Sequence, residues 1–263
     1  MNLVPDSILL VYVCFNTYFC FMIIPPDRDP MGEAIRDYLE QRPVKRLRVL
    51  SSLFDEDEMP VKTLFRTEAQ MSRLERMALG ACRGRVLDVG AGAGCHSLAL
   101  QARGLEVTAV DVSPLSVESM RRRGVRDARL ADFFTDEVGE GYDTLLLLMN
   151  GLGLVGRLGR LRDFFCRAAC LLVSGGSIVA DSSDLRYVFE DEDGNMDYDP
   201  ADGYYGEVDF RMKYGYTEGL SFDWLYVDAG TLVRAAAEAG FRAEILYRGD
   251  HYDYLVRLVH YRP

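Results

Sequence analysis

Residues 86–97 read Val-Leu-Asp-Val-Gly-Ala-Gly-Ala-Gly-Cys-His-Ser, and no other stretch limits the fold so tightly. An apolar run carries an acid, Asp88, near its end. It breaks into three glycines at alternate positions, Gly90, Gly92 and Gly94, and then takes on helical character. A strand, a glycine turn and a helix start in that order make a site where backbone comes close to a ligand. The first helical N–H groups lack partners there and carry partial positive charge.

The flank sharpens the reading. Leu105 to Asp111 is a second apolar strand that also ends in a carboxylate. Asp111 follows the first glycine by about 20 residues, the spacing of an acid that accepts from both hydroxyls of a ribose. A dinucleotide site would place a glycine where Cys95 stands. Here the third glycine comes one residue earlier. A third short strand, Asp127 to Ala131, leads into Asp132-Phe133. A fourth, Asp143 to Met149, ends in Asn150-Gly151-Leu152-Gly153.

These elements, in this order, resemble the class I S-adenosylmethionine-dependent methyltransferases from Val86 to the C-terminus. The resemblance implies a Rossmann-like α/β fold: a seven-stranded, mostly parallel sheet with helices on both faces and an antiparallel last strand. It implies S-adenosyl-L-methionine as cofactor. Gly90, Gly92 and Gly94 would allow close backbone approach, and Asp88 would orient the loop and reach the cofactor amine through water. Asp111 would hold the ribose, Asp132 would accept from the adenine amine, and Phe133 would cover the ring. Asn150 would lie beside the methyl group. Amino-nucleobase methyltransferases carry two prolines and an aromatic after the residue at Asn150; Gly-Leu-Gly follows here, which argues against DNA base methylation. The expected acceptor is a small molecule. Ser177 to Ser182 reads as a fifth strand; Asp181 and Asp184, at and beyond its end, are with Asn150 the candidates for catalysis, and each acid has an alternative reading as a loop or helix cap. A nicotinamide-dependent oxidoreductase and a non-catalytic cofactor-binding module remain alternatives. Aminopropyl transfer is disfavoured, because no acids follow the fourth strand.

Composition bounds the rest. With 263 residues, 49% of them hydrophobic, the chain suits one α/β domain plus additions. A formal net charge of −11 argues against a nucleic-acid partner. Arg121-Arg122-Arg123 reads as the solvated end of a helix. Six cysteines without a Cys-x-x-Cys pair, and three histidines, predict no metal site. Cys166 and Cys170, one helical turn apart, are expected to pack as small apolar side chains in a reduced, cytoplasmic protein.

The chain divides into three parts. In residues 1–30, the apolar run 7–24 is open to three readings: a membrane anchor, a buried helix, or residues upstream of a start at Met31. Residues 31–84 read as a helical extension or lid, with Phe65 and Arg66 placed to touch ligand or, for Phe65, to pin the extension to the core. Residues 85–263 are the main domain. Ser113, Pro114 and Gly124 punctuate one of its helices. An insertion, 183–227, starts acidic and turn-rich. It then alternates with Val208, Phe210, Met212 and Tyr214 on one face, and resumes at Leu220 to Tyr226. That pattern predicts a β-hairpin serving as a substrate wall, a homodimer contact or a sheet extension. The acids around Gly194 do not follow the spacing of an EF-hand calcium loop.

Overall fold

Asp29-Pro30 starts the first helix by placing a capping carboxylate ahead of a residue whose φ is already helical. In the computed structural model, which describes residues 23–191, 193 and 195–261, this helix is α1 (Pro30–Leu39), with Asp29 accepting from the Gly32 amide. The extension continues through β1 (Leu47–Leu50), β2 (Asp57–Glu58) and α2 (Arg73–Ala81). Ser72 and Glu75 cap α2 reciprocally. The apolar run over 7–24 lies outside the described residues except for Ile23 and Ile24. Among the described residues, no helix is long and apolar enough to cross a membrane. Residues ahead of Met31 pack on the domain: the Ile24 amide donates to Val112 O and Asp29 is fully buried.

From Arg85 strands and helices alternate: β3 (Arg85–Val89), α3 (Cys95–Ala102), β4 (Glu106–Asp111), α4 (Pro114–Arg123), β5 (Asp127–Leu130), β6 (Tyr142–Leu147), α5 (Leu161–Leu171) and β7 (Leu172–Ser183). After the insertion come α6 (Ala229–Glu238) and strands Phe241–Arg248 and Asp253–His260. The central parallel strands β3, β4 and β6 are mostly buried because both faces are covered, whereas the edge strand β5 buries only Ala128. Leu87, Leu145, Ile178 and Val256 pack one way, with Phe164 and Phe165 of α5 and Leu232 of α6. Val86, Leu146, Val179 and Leu255 pack the other way, with Leu74 and Leu79 of α2 and Leu100 of α3.

The insertion supplies β8 (Glu207–Tyr214), β9 (Thr217–Glu218) and β10 (Phe222–Leu225), so the two C-terminal strands are β11 and β12. The main sheet runs β11-β12-β7-β6-β3-β4-β5, seven strands, with β12 antiparallel to both neighbours and the pairs from β7 to β5 parallel. The chain leaves β3 toward β4 and β5, then returns on its other side to β6. That reversal opens a crevice at the strand C-termini.

A second, antiparallel sheet has the order β10-β8-β1-β2. The expected hairpin forms, with Phe222 opposite Phe210 and Trp224 opposite Val208. The extension is therefore not only helical: β1 joins the free edge of β8, Val49 facing Met212. Four residues, Leu-Arg-Val-Leu, are too few to show a strand period by themselves. The acidic half of the insertion is described only in part.

Two expectations are corrected. Cys166 and Cys170 are exposed. The buried stripe of α5 is Leu161, Phe164, Phe165, Ala168 and Leu171, and helical spacing turns both cysteines away from it. Ser174-Gly175-Gly176, which in the sequence reads as the close of a helix from Arg157 to Leu172, lies instead within β7, at an irregularity between the pairs of Tyr142 and Thr144.

Candidate functional site

The glycine loop sits between β3 and α3. Gly90, Gly92 and Gly94 all have left-handed φ, at 70°, 56° and 79°, where a side chain is strained. They differ in surroundings. A Cβ on Gly94 would lie 2.8 Å from Val125 Cγ2, so this glycine lets α3 approach α4 and β5. A Cβ on Gly90 or Gly92 would meet no atom within 4 Å, so both border open space. The Gly90 and Ala91 amides donate to Val110 O, tying the loop to β4.

Asp111 ends β4 half-buried. Its Oδ2 accepts from the Gly92 amide and its Oδ1 from the Ser113 amide, each at 2.8 Å. One bond per oxygen leaves each with acceptor capacity. Burial pushes its carboxyl up to about 6, against those two amide bonds, and the charges of Asp29 and Asp88 push the same way. Asp88 is 2% exposed, with Ser97 Oγ donating to it at 2.5 Å, and burial raises it too. Around the loop, then, the structure brings together the three glycines, Asp88 and Asp111.

Asp132 lies half-buried after β5 and accepts from the Phe134 amide at 2.8 Å. Phe133 is not brought to the crevice. Its ring is 4% exposed, inside the core and 5.7 Å from Phe164. Phe134 carries the more exposed ring, beneath the Arg160 guanidinium at 4.7 Å. Phe133→Ala is therefore expected to cost about 3–5 kcal/mol of stability, as a buried aromatic truncation does; denaturant melting checks this.

At the end of β6 the backbone turns sharply. Met149 and Asn150 both adopt left-handed φ, 65° and 56°. Two consecutive non-glycine residues there store strain, which marks a site worth explaining. Asn150 Nδ2 donates to Leu225 O at 3.4 Å, while its Oδ1 is buried with no hydrogen-bond partner among the described residues. Asp181, on β7, faces this turn and accepts from the Gly151 amide at 3.3 Å. Burial pushes Asp181 up to about 6, although the Asn150 and Gly151 amides oppose it. Asp184 is placed differently. It caps the turn 185–188 through the Arg186 amide, accepts from Tyr205 Oη at 2.8 Å and pairs with Arg186.

Asp181 and Met149 open onto a cavity of about 440 Å³, also lined by Arg66, Arg73, Glu75 and Tyr247. Its extension wall is held by a buried charge cluster. His96 Nε2 lies 2.8 Å from Glu75 Oε1, and Arg66 donates to the same oxygen. Burial disfavours both charges. Hydrogen bonds from His96, Arg66 and Ser72 nevertheless bring Glu75 down to about 2. Those with Cys95 and Glu75, together with Asp88's charge, take His96 up to about 10. Phe65 stacks between Tyr38 and the Arg123 guanidinium, each at 4.5 Å. Arg123 also donates to Ala93 O of the glycine loop, so the arginine triplet is more than a solvated helix end.

Two residues escaped the sequence reading. Asp29 was hidden in a proline-rich run, although Asp-Pro ahead of a helix is a capping signal. Glu75 was signalled by the Ser-x-x-Glu spacing from Ser72.

Comparisons with known proteins show the family. Residues 86–176 match a family model described as a methyltransferase domain. The chain is similar to a SAM-dependent methyltransferase from Bacteroides fragilis, solved in complex with S-adenosyl-L-homocysteine. The two share 54% identity over 91% of this chain and 98% of that one, with a TM-score of 0.85. It shares a fold with a SAM-bound amino pentose methyltransferase from Micromonospora echinaspora, at 16% identity over 79% and 99% of the two chains and a TM-score of 0.51. A methyltransferase from Streptomyces caelestis is likewise similar, at 17% identity over 89% and 98% and a TM-score of 0.57. A search of the curated proteins finds no match.

Proposed function

Because the chain belongs to the S-adenosylmethionine-dependent methyltransferases, we propose that it transfers a methyl group to a small-molecule acceptor bound in the cavity beside Asp181. The observation that carries the cofactor part is the pairing of Gly92 with Asp111. An amide-anchored carboxylate with acceptor capacity on both oxygens sits beside open space at Gly90 and Gly92. That donor and acceptor set fits an adenosyl group: Asp111 takes the ribose hydroxyls and Asp132 the adenine amine. Gly90, Gly92 and Gly94 shape the loop, which Asp88 braces through Ser97. Phe133 supports that wall from the core and does not cover the ring.

When bound, the cofactor supplies a methyl group already activated on a sulfonium. The protein's main task is then to position the acceptor and exclude water, and such orientation is worth on the order of 7–11 kcal/mol in well-aligned systems. Asn150 Oδ1, buried and without a hydrogen-bond partner among the described residues, accepts a hydrogen bond from an N–H or O–H of the acceptor. Asp181 takes the proton that the nucleophile loses, and its carboxyl near 6 suits that task at neutral pH. Asp184, engaged as a cap and by Tyr205, has no part in the chemistry. The acidic protein favours a small acceptor over a polynucleotide, whose phosphates its net charge of −11 would repel.

Isothermal titration of the purified chain with S-adenosyl-L-methionine, S-adenosyl-L-homocysteine and NAD tests the cofactor reading. The first two are expected to bind and NAD to give no heat. Binding of NAD alone would overturn it. Methyl-transfer screening of metabolite fractions then tests the acceptor class; transfer confined to protein or nucleic acid would overturn the small-molecule reading.

A further inference from the structure

We propose that Asp29, in the arm ahead of α1, is a positioning residue of the cofactor site, acting on Asp111 through Ser113. This rests on the reading that Asp111 grips the cofactor ribose. Asp29 is fully buried, and Ser113 is buried with it. Asp29 Oδ1 accepts from the Gly32 amide at 2.8 Å, and Oδ2 from Ser113 Oγ at 2.5 Å. The same Ser113 Oγ accepts from the Ser116 amide, capping α4, and the Ser113 amide donates to Asp111 Oδ1. Asp111 Oδ2 then reaches the Gly92 amide. The relay runs unbroken from the extension to the glycine loop.

Fit at the far end of the relay is tight. A Cβ on Gly32 would lie 2.2 Å from Asp29 Oδ2 and 2.5 Å from Ser113 Oγ, so only glycine lets α1 seat its cap against the β4–α4 turn. Fully burying a carboxylate in such a place is expensive unless it is bonded. Helix capping alone would be served by an exposed residue. What this arrangement adds is a second negative charge beside Asp111, joined to it through one residue. The charged groups acting on Asp111 are Asp29 from the arm and Asp88 from β3, and both raise it; Arg36 of α1 acts on Asp29 in the opposite sense.

Asp29 therefore fixes the direction of the Asp111 carboxylate through Ser113, and its charge adds to the burial that raises the pH at which Asp111 ionises. The test titrates S-adenosyl-L-homocysteine into the full chain and its variants from pH 5 to 8. In the wild-type chain affinity is expected to fall as the pH drops through about 6. In Asp29→Asn, whose amide leaves Asp111 without its charged neighbour, that midpoint moves down by at least about half a unit. Affinity at pH 7.5 falls about 3- to 10-fold as the relay loosens. Gly32→Ala keeps the charge but displaces it, so it lowers the midpoint without altering composition at Asp29; it decides the matter alone if Asp29→Asn does not fold. Folded variants with the wild-type midpoint overturn the proposal. A wild-type chain that binds at no pH overturns the ribose reading itself, a separate and recognisable failure.

Discussion

Asp111→Ala is expected to weaken S-adenosyl-L-homocysteine binding by about 100- to 1000-fold. Hydrogen bonds to a charged acceptor contribute roughly 1.5–3 kcal/mol each, and water recovers part of what two of them lose. The change also leaves the Gly92 and Ser113 amides without their acceptor, which loosens the loop. Removing a buried charge offsets part of that cost, so the free protein is expected to melt close to the wild type. The ligand response separates the two effects. At a ligand concentration 100 times the wild-type Kd, binding stabilises the wild type by about 2.7 kcal/mol, whereas a 100-fold weaker variant gains only about 0.4 kcal/mol. A ligand-induced rise in Tm that survives the substitution would remove Asp111 from the site.

What the sequence disclosed, and what it hid, follows from how far apart the interacting residues lie. The glycine loop, Asp88 and Asp111 were legible because their chemistry depends on local spacing: a strand, a turn and the next strand fix where those groups go. The order of the main sheet was legible for a related reason. Alternating apolar runs and helices admit few topologies, and right-handed crossovers prune those further. The bond between Asp29 and Ser113 was not legible, since the two lie 84 positions apart and nothing local advertises it. Phe133 and Phe134 are adjacent aromatics, and which one faces the core depends on Phe164 of α5. The pairing of β1 with β8 joins the extension to the insertion across more than 150 residues, and it is the long strand that recruits the short one. Asp181 and Asp184 looked alike in sequence. Only the turn at 185–188 and Tyr205 set one aside as a cap, leaving the other facing the strained Met149-Asn150 turn.

That contrast gives the second large effect. Asp181→Asn is expected to lower kcat by about 10²–10⁴-fold, the range for loss of a proton acceptor, with much less change in cofactor affinity. In the wild type the ionised carboxylate is the competent form, so activity rises with pH and levels off above about 6. In the asparagine variant this inflection disappears. Stability should move the other way. The folded-state pKa of Asp181 lies above its ordinary value, so the native state binds the proton more tightly than the unfolded chain does. Ionisation above pH 6 thus opposes folding, and acidification toward the ordinary carboxylate range relieves it. Asparagine keeps an oxygen for the Gly151 amide and carries no charge, so the variant should melt no lower than the wild type at pH 8. A crippled enzyme that is at least as stable is the signature of a group kept for chemistry. Wild-type kcat with the inflection intact would instead make Asp181 a backbone partner for the turn.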